Sequence, residues 1–140
     1  MIDRLLVENK LADLQSYYIE IMAILSADSQ EVIADSLKLH SLERLFQLIV
    51  DSAIDINTHI ISSIGALTPD DYQSTFITLA EHQVIPHDFA RRIAPSVGLR
   101  NLVVHRYGRV DIKRMVDDVR TEISQYQEYA HHVVEYLKKM

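Results

Sequence analysis

"SLERLFQLIVDSAIDINTHII", residues 41–61, returns an apolar side chain at every third or fourth position: Leu42, Leu45, Phe46, Ile49, Ala53 and Ile60, with Ile64 extending the stripe. This is the spacing of one face of an α-helix, whereas a half-buried strand would alternate at every second residue. Asp28 or Ser29 is a suitable N-cap for the helix, and Gly65 a suitable C-terminal stop. Unbroken, such a helix reaches about 50 Å at 1.5 Å per residue, which one small domain cannot cover without a bend or a partner. Dimerisation is therefore expected.

The same period runs outward in both directions. Ile2, Leu5, Leu6, Leu14, Tyr17, Ile21 and Leu25 predict a first helix over about 2–25, ended by the polar "SADSQ". Thr68 before Pro69 has the N-cap and first-turn pairing of a short third helix that places Phe76, Leu79 and Ala80 inward. "QVIPHDFARRIAPSVG" supplies a fourth, and Ser96 caps a fifth that ends before Gly108. From Asp111 onward, Ile112, Met115, Val116, Val119, Ile123, Tyr126, Val133 and Leu137 form the stripe of a final long helix. Only three glycines and three prolines occur, and they fall between these stretches. The expectation is an all-α fold, an antiparallel bundle of about five to six helices in one domain spanning 1–140, without internal repeats.

The 140 residues contain no cysteine, which excludes a disulfide framework, a zinc knuckle or a thiol nucleophile. "MIDRLLVENK" carries charge where a signal peptide needs its apolar core, and no run approaches the roughly 18 apolar residues of a membrane span. A soluble, cytoplasmic protein with no membrane partner is expected. With 14 Lys+Arg against 20 Asp+Glu the net charge is -6, which ordinarily argues against a nucleic-acid partner. The charge is unevenly spread, however. Between Arg91 and Arg114 seven cations face the single carboxylate Asp111, a local +6, so the remainder carries -12. A basic patch on an acidic body suits one anionic ligand held in one place, although it also suits a solvated arginine face paired with acidic neighbours.

Inside that window, "GLRNLVVHRYGR", residues 98–109, brings Arg100, His105 and Tyr107 together. A guanidinium can bind a phosphate bidentately and stays charged at any working pH. An imidazole can take a proton from a ribose hydroxyl or return one to a leaving oxygen. Together they suffice for attack of a ribose 2′-hydroxyl on the adjacent phosphodiester without a metal, and no carboxylate cluster lies here to hold one. At about 100° per residue, Arg100 and His105 leave a straight helix roughly 140° apart. Either the last turn distorts or the site draws on two chains related by a twofold axis. Tyr107 lies nearly in line with Arg100 and can stack a base or carry a modification. The same residues also allow Arg100 and Asn101 to pair with acids of the second helix, and His105 to be a satisfied interior histidine.

"RNLVVHRY", Arg100 to Tyr107, placed before a final long helix and after "SLERLFQLIVDSAIDINTHII" and "FITLAEHQVIP", resembles the signature of the HEPN superfamily and specifically of HepT-like toxins. The resemblance covers nearly the whole chain. It implies an all-helical homodimer acting as a metal-independent endoribonuclease on RNA such as tRNA, with two Arg–His pairs facing a shared cleft and no cofactor. On this chain Arg100 would stabilise the scissile phosphate, His105 would do the acid–base work, and Asn101 and Arg106 would help position substrate. The resemblance further implies a type VII-like toxin–antitoxin pair, in which an MNT-type nucleotidyltransferase antitoxin adds AMP to the motif tyrosine, here Tyr107. Each AMP would bring a negative phosphate beside Arg100 and Arg106, where it competes with RNA.

Asp51, Asp55 and His59 recur at i, i+4 and i+8 on the second helix. They could support a metal, but with no further ligands a polar seam is the better reading, with Asp55 holding Arg100 or Arg106 in position. His131 and His132 diverge by about 100° on a helix and read as surface, not as a metal pair. Tyr17, Tyr18, Tyr126, Tyr129 and Tyr136 fall on helical faces that finish a core or a dimer seam. Two non-nuclease readings remain beside the ribonuclease: a nucleotide- or partner-binding module that assists a separate nucleotidyltransferase, and a purely structural dimerisation domain.

Overall fold

The computed structural model describes residues 1–105 and 110–140. Arg106, Tyr107, Gly108 and Arg109 lie outside the described residues. The described residues form helices and no strand: α1 (Arg4–Ile24), α2 (Ser29–Ala34), α3 (Ser36–Ser63), α4 (Gln73–Glu81), α5 (His87–Ile93), α6 (Ser96–His105), α7 (Ile112–Ile123) and α8 (Gln125–Lys138). These eight segments are the six expected spans, two of which are interrupted.

The first interruption is chemical. Asp28 caps α2 by accepting from the Glu31 N–H at 2.9 Å, as expected. Asp35 then leaves helical geometry (φ -110°, ψ 103°) and caps α3, its carboxylate accepting from the Leu37 and Lys38 N–H groups at 3.1 and 3.2 Å. An aspartate that satisfies the first free N–H groups of a helix favours a start there over continuation from the preceding turn. The anticipated bend is this cap, and α3 keeps 28 residues, about 42 Å. It ends at Gly65 (φ 74°), where Ala66 N–H reaches the Ile61 carbonyl and Gly65 N–H the Ser62 carbonyl, both at 3.1 Å. The second interruption is Ser124, whose hydroxyl bonds back to the Thr121 carbonyl at 3.0 Å between α7 and α8.

Helix α3 is the hub: α1 packs along it most extensively, and α2, α4 and α6 lean on its other sides. Leu42, Phe46, Ile49, Ala53 and Ile60 are fully buried, as the stripe predicts, whereas Leu45 is half-buried and Ile64, beyond the last turn, is exposed. On α1 the buried side chains are Val7, Leu11, Leu14 and Ile21, while Leu5 and Leu6 remain exposed. The expected stripe therefore differs at the start of α1, where Asp3 caps the helix and Val7 and Leu11 take the buried face in place of Leu5 and Leu6.

Two other expected caps differ. Thr68 does not start α4, which begins at Gln73, and the capping carboxylate is Asp71, accepting from the Ser74 N–H at 2.7 Å and its hydroxyl at 2.9 Å. These bonds hold the Asp71 carboxyl below the usual range. Ser96 opens α6 but is buried, its hydroxyl donating to the Ile93 carbonyl and meeting the Tyr126 hydroxyl at 2.5 Å.

The core also contains a polar chain. Tyr129 donates to Asn57 Oδ1 at 2.6 Å, Asn57 Nδ2 donates to Thr75 Oγ1 at 3.1 Å, and Thr75 donates to the Tyr72 carbonyl at 2.6 Å. Asn57, Thr75 and Tyr129 are all 0% exposed, so each bond offsets a desolvation cost that water cannot meet. Burial pushes the Tyr126 and Tyr129 hydroxyls well above the ordinary phenol range, fixing them as neutral bonding groups. No helix among the described residues is long and apolar enough to cross a membrane.

Candidate functional site

Helix α6 delivers Arg100 to the side of α3. Arg100 Nε donates to Asp51 Oδ1 at 2.9 Å, with the arginine side chain 18% exposed. Its Nη1 meets Asn101 Oδ1 at 3.1 Å. Among the described residues these bonds commit two of the five guanidinium N–H groups, leaving donors for an anion while the carboxylate fixes the fork.

Asp51 therefore holds Arg100, where sequence reasoning had assigned the role to Asp55. Asp55 lies one turn farther along α3 and pairs with Lys10 of α1 at 3.0 Å. The hydrogen bond and charge of Asp55 raise the Lys10 ammonium above its usual range. His59 accepts the Asp3 backbone N–H on Nε2 at 2.9 Å, an arrangement that requires its proton on Nδ1. The i, i+4, i+8 seam is real, but it receives one partner each from α6, α1 and the start of the chain. No group of three potential metal ligands occurs among the described residues.

The seam lines a cleft of about 770 Å³. Helix α3 supplies Asp51, Ile54, Asp55, Thr58, His59 and Ser62; α1 supplies Leu6 and Lys10; Tyr72 and Arg100 complete the wall. Sequence reasoning missed Lys10 and Tyr72. Lys10 sits between the buried positions Val7 and Leu11, and Tyr72 belongs to a non-helical connection, so neither carries a periodic signal.

Helix α6 stays α-helical through His105, so no distortion inside the described helix turns Arg100 and His105 toward one another. His105 and Asn101 are exposed at its surface. Arg106 and Tyr107 lie outside the described residues. The basic window is also less open than its composition implied. Arg91 pairs with Asp88 at 2.5 Å, Lys113 with Asp117 at 3.0 Å and Arg114 with Asp118 at 3.9 Å. Arg92 pairs with Glu128 at 3.3 Å and lies 5.3 Å from the centre of the Phe89 ring. Among the described cations of that window only Arg100 lines the cleft. His131 is exposed, as expected, whereas His132 is half-buried, bonded to Glu128 at 3.0 Å and packed 5.0 Å from Phe89 between ring centres.

Residues 8–133 match the family described as ribonuclease HepT-like. The chain belongs to that family. Among curated relatives of this HepT-like chain, a tRNA nuclease HepT of Aphanizomenon flos-aquae is 38% identical over 95 residues, a match covering 68% of this chain and 65% of that protein. An mRNA nuclease HepT of Shewanella oneidensis is 25% identical over 79 residues, covering 56% and 59% respectively. The matches thus span about two thirds or less of the length of these relatives. Among solved structures, a tri-AMPylated Shewanella oneidensis HEPN toxin in complex with MNT antitoxin superimposes with a TM-score of 0.84 at 22% identity, covering 96% of this chain and 99% of that one. The cytosolic protein of unknown function YutE from Bacillus subtilis gives 0.83 at 16% identity, with 99% and 92% covered. At these identities the structures establish the HEPN-like fold of the HepT-like chain.

Proposed function

We propose that this protein is a metal-independent endoribonuclease and the toxin of a toxin–antitoxin pair. The observation that carries the reading is Arg100, anchored by Asp51 on the wall of a large cleft, with guanidinium donors uncommitted among the described residues. In the proposed reaction a ribose 2′-oxygen attacks the adjacent phosphorus and the bond to the 5′-oxygen breaks. Arg100 stabilises charge gathering on the phosphoryl oxygens. His105 moves the proton, from the attacking hydroxyl or to the leaving oxygen. Asn101 and Arg106 position the strand.

The 140° separation on α6 favours a homodimer, in which Arg100 of one protomer and His105 of its partner face one phosphate across a twofold axis. Family membership and the relatives named as tRNA and mRNA nucleases support the chemistry, with RNA such as tRNA as the substrate. The fold shared with an AMPylated toxin bound to its MNT antitoxin supports an MNT-type nucleotidyltransferase partner. That partner would transfer the AMP moiety of ATP to the Tyr107 hydroxyl and release pyrophosphate.

The test is incubation with end-labelled tRNA and mixed cellular RNA in excess EDTA. Wild-type protein is expected to cut, and Arg100→Ala and His105→Ala to lose at least about 100-fold in rate while keeping the helical spectrum. Cleavage that persists in both variants, or that disappears with EDTA, sinks the reading. Incubation with the antitoxin and ATP should add mass at Tyr107 and stop cleavage, and Tyr107→Phe should escape both.

A further inference from the structure

We infer that the cleft along α3 is a nucleoside subsite, which seats the base and ribose adjoining the phosphate held at Arg100. This rests on the reading of Arg100 as the phosphate ligand and adds what lies beside it. From Asp51 to Ser62 the lining stripe of α3 is about 16 Å long at 1.5 Å per residue, and Arg100 stands at the Asp51 end.

Charge decides what the rest of the cleft takes. Among the described residues, the charged lining groups beyond Arg100 and its carboxylate are Lys10 and Asp55, which neutralise one another at 3.0 Å. A second phosphate would find no excess cation among these described groups. A neutral heterocycle finds an apolar surface at Leu6, floored by the buried Ile54, with the Ser62 hydroxyl and the Thr58 hydroxyl oxygen, whose proton goes to the Ile54 carbonyl, beside it. The cleft volume, about 770 Å³, lies in the range of small-ligand pockets.

Tyr72 supplies a stacking face. The residue is exposed, and no aromatic ring pairs with it among the described residues. Its backbone is nevertheless fixed, because its carbonyl accepts both the Thr75 N–H at 3.2 Å and the Thr75 hydroxyl at 2.6 Å, the end of the buried chain from Tyr129. A large ring on an anchored backbone loses little freedom when a base stacks on it.

The wild-type protein, labelled with ¹⁵N, is titrated with the four nucleoside 5′-monophosphates and separately with inorganic phosphate. Nucleotides are expected to shift the Lys10, Thr58, Ser62 and Tyr72 amides together with Arg100, whereas phosphate shifts only the Arg100 region. Tyr72→Ala is expected to weaken nucleotide binding at least about fivefold and leave the phosphate titration unchanged. Identical shifts from nucleotides and phosphate, or wild-type nucleotide affinity in Tyr72→Ala, overturn the subsite. RNA cleavage separates the two proposals. If nucleotides seat as described but no protein cuts RNA, the nuclease reading fails and the subsite stands. If wild type and Tyr72→Ala cut RNA with identical rates and cut-site distributions, the subsite fails and the nuclease stands.

Discussion

Asp51 and Asp55 are one turn apart on the same face of α3, yet they hold different cations, and activity should separate them. Asp51→Asn keeps an acceptor near Arg100 Nε but loses its charge, weakening a charge-assisted bond by about 1 kcal/mol. We expect kcat/KM for RNA to fall five- to tenfold with little change in melting temperature, where about 1.4 kcal/mol corresponds to tenfold. Asp55→Asn frees the Lys10 ammonium inside the cleft and leaves the Arg100 anchor intact, so it should act on KM and leave kcat within about twofold. The reverse ranking would return the role of arginine holder to Asp55. Sequence periodicity placed both carboxylates correctly on one seam. It could not choose between them, because the choice depends on how α6 lies across α3, and side-chain spacing within one helix contains no information about a second.

At the scale of elements, capping geometry sets the boundaries. Gln83 ends α4 in the left-handed region (φ 60°), with Val84 N–H bonded to the Leu79 carbonyl at 2.9 Å and Gln83 N–H to the Ala80 carbonyl at 3.1 Å. Gln83→Gly removes the steric cost of that conformation, partly offset by the looser unfolded chain, and should stabilise by about 0.5 kcal/mol in urea melts. A loss of stability would show that the glutamine side chain outweighs its backbone strain. Arg120 of α7 reaches the end of α1, donating to the Leu25 carbonyl at 2.7 Å and the Ala27 carbonyl at 2.9 Å. Arg120→Ala strands both acceptors and should cost about 1–3 kcal/mol, with Arg120→Lys recovering less than half because an ammonium cannot span the two sites. An unchanged denaturation midpoint would show that water replaces the guanidinium. The stripes of α3 and α7–α8 and the stop at Gly65 were legible from local chemistry. Arg120, the break at Asp35 and the true cap at Asp71 were not, because several polar residues compete for each such role and tertiary contacts select among them.

For the whole molecule, acid should be the weak side. Asp117 accepts from Ser29 of α2 and from Lys113, and these bonds lower its pKa. Glu128 is likewise lowered, first by His132 and also by Arg92 of the α5 end, so both carboxylates link helices. Groups with depressed folded values stabilise above their unfolded pKa, near 3.8 for Asp and 4.5 for Glu, and lose that stabilisation as pH falls through the folded value. Melting temperature should therefore stay level from neutral pH to about 5 and decline below about 4. Glu122 works the other way: desolvation raises it, so Glu122→Gln should melt slightly higher at neutral pH, and an unchanged value would show that solvent already screens the charge. The buried chain of Tyr129, Asn57 and Thr75 has a consequence for divergence. Its members come from α8, α3 and α4, distant in sequence but joined in a dry interior. Asn57→Leu alone would take a partner from two buried hydroxyls, whereas Asn57→Leu combined with Thr75→Val and Tyr129→Phe would remove those hydroxyls as well. Related sequences are thus expected to keep or exchange these three positions as a set, and covariation at 57, 75 and 129 would be the trace in an ancestry of how this core is built.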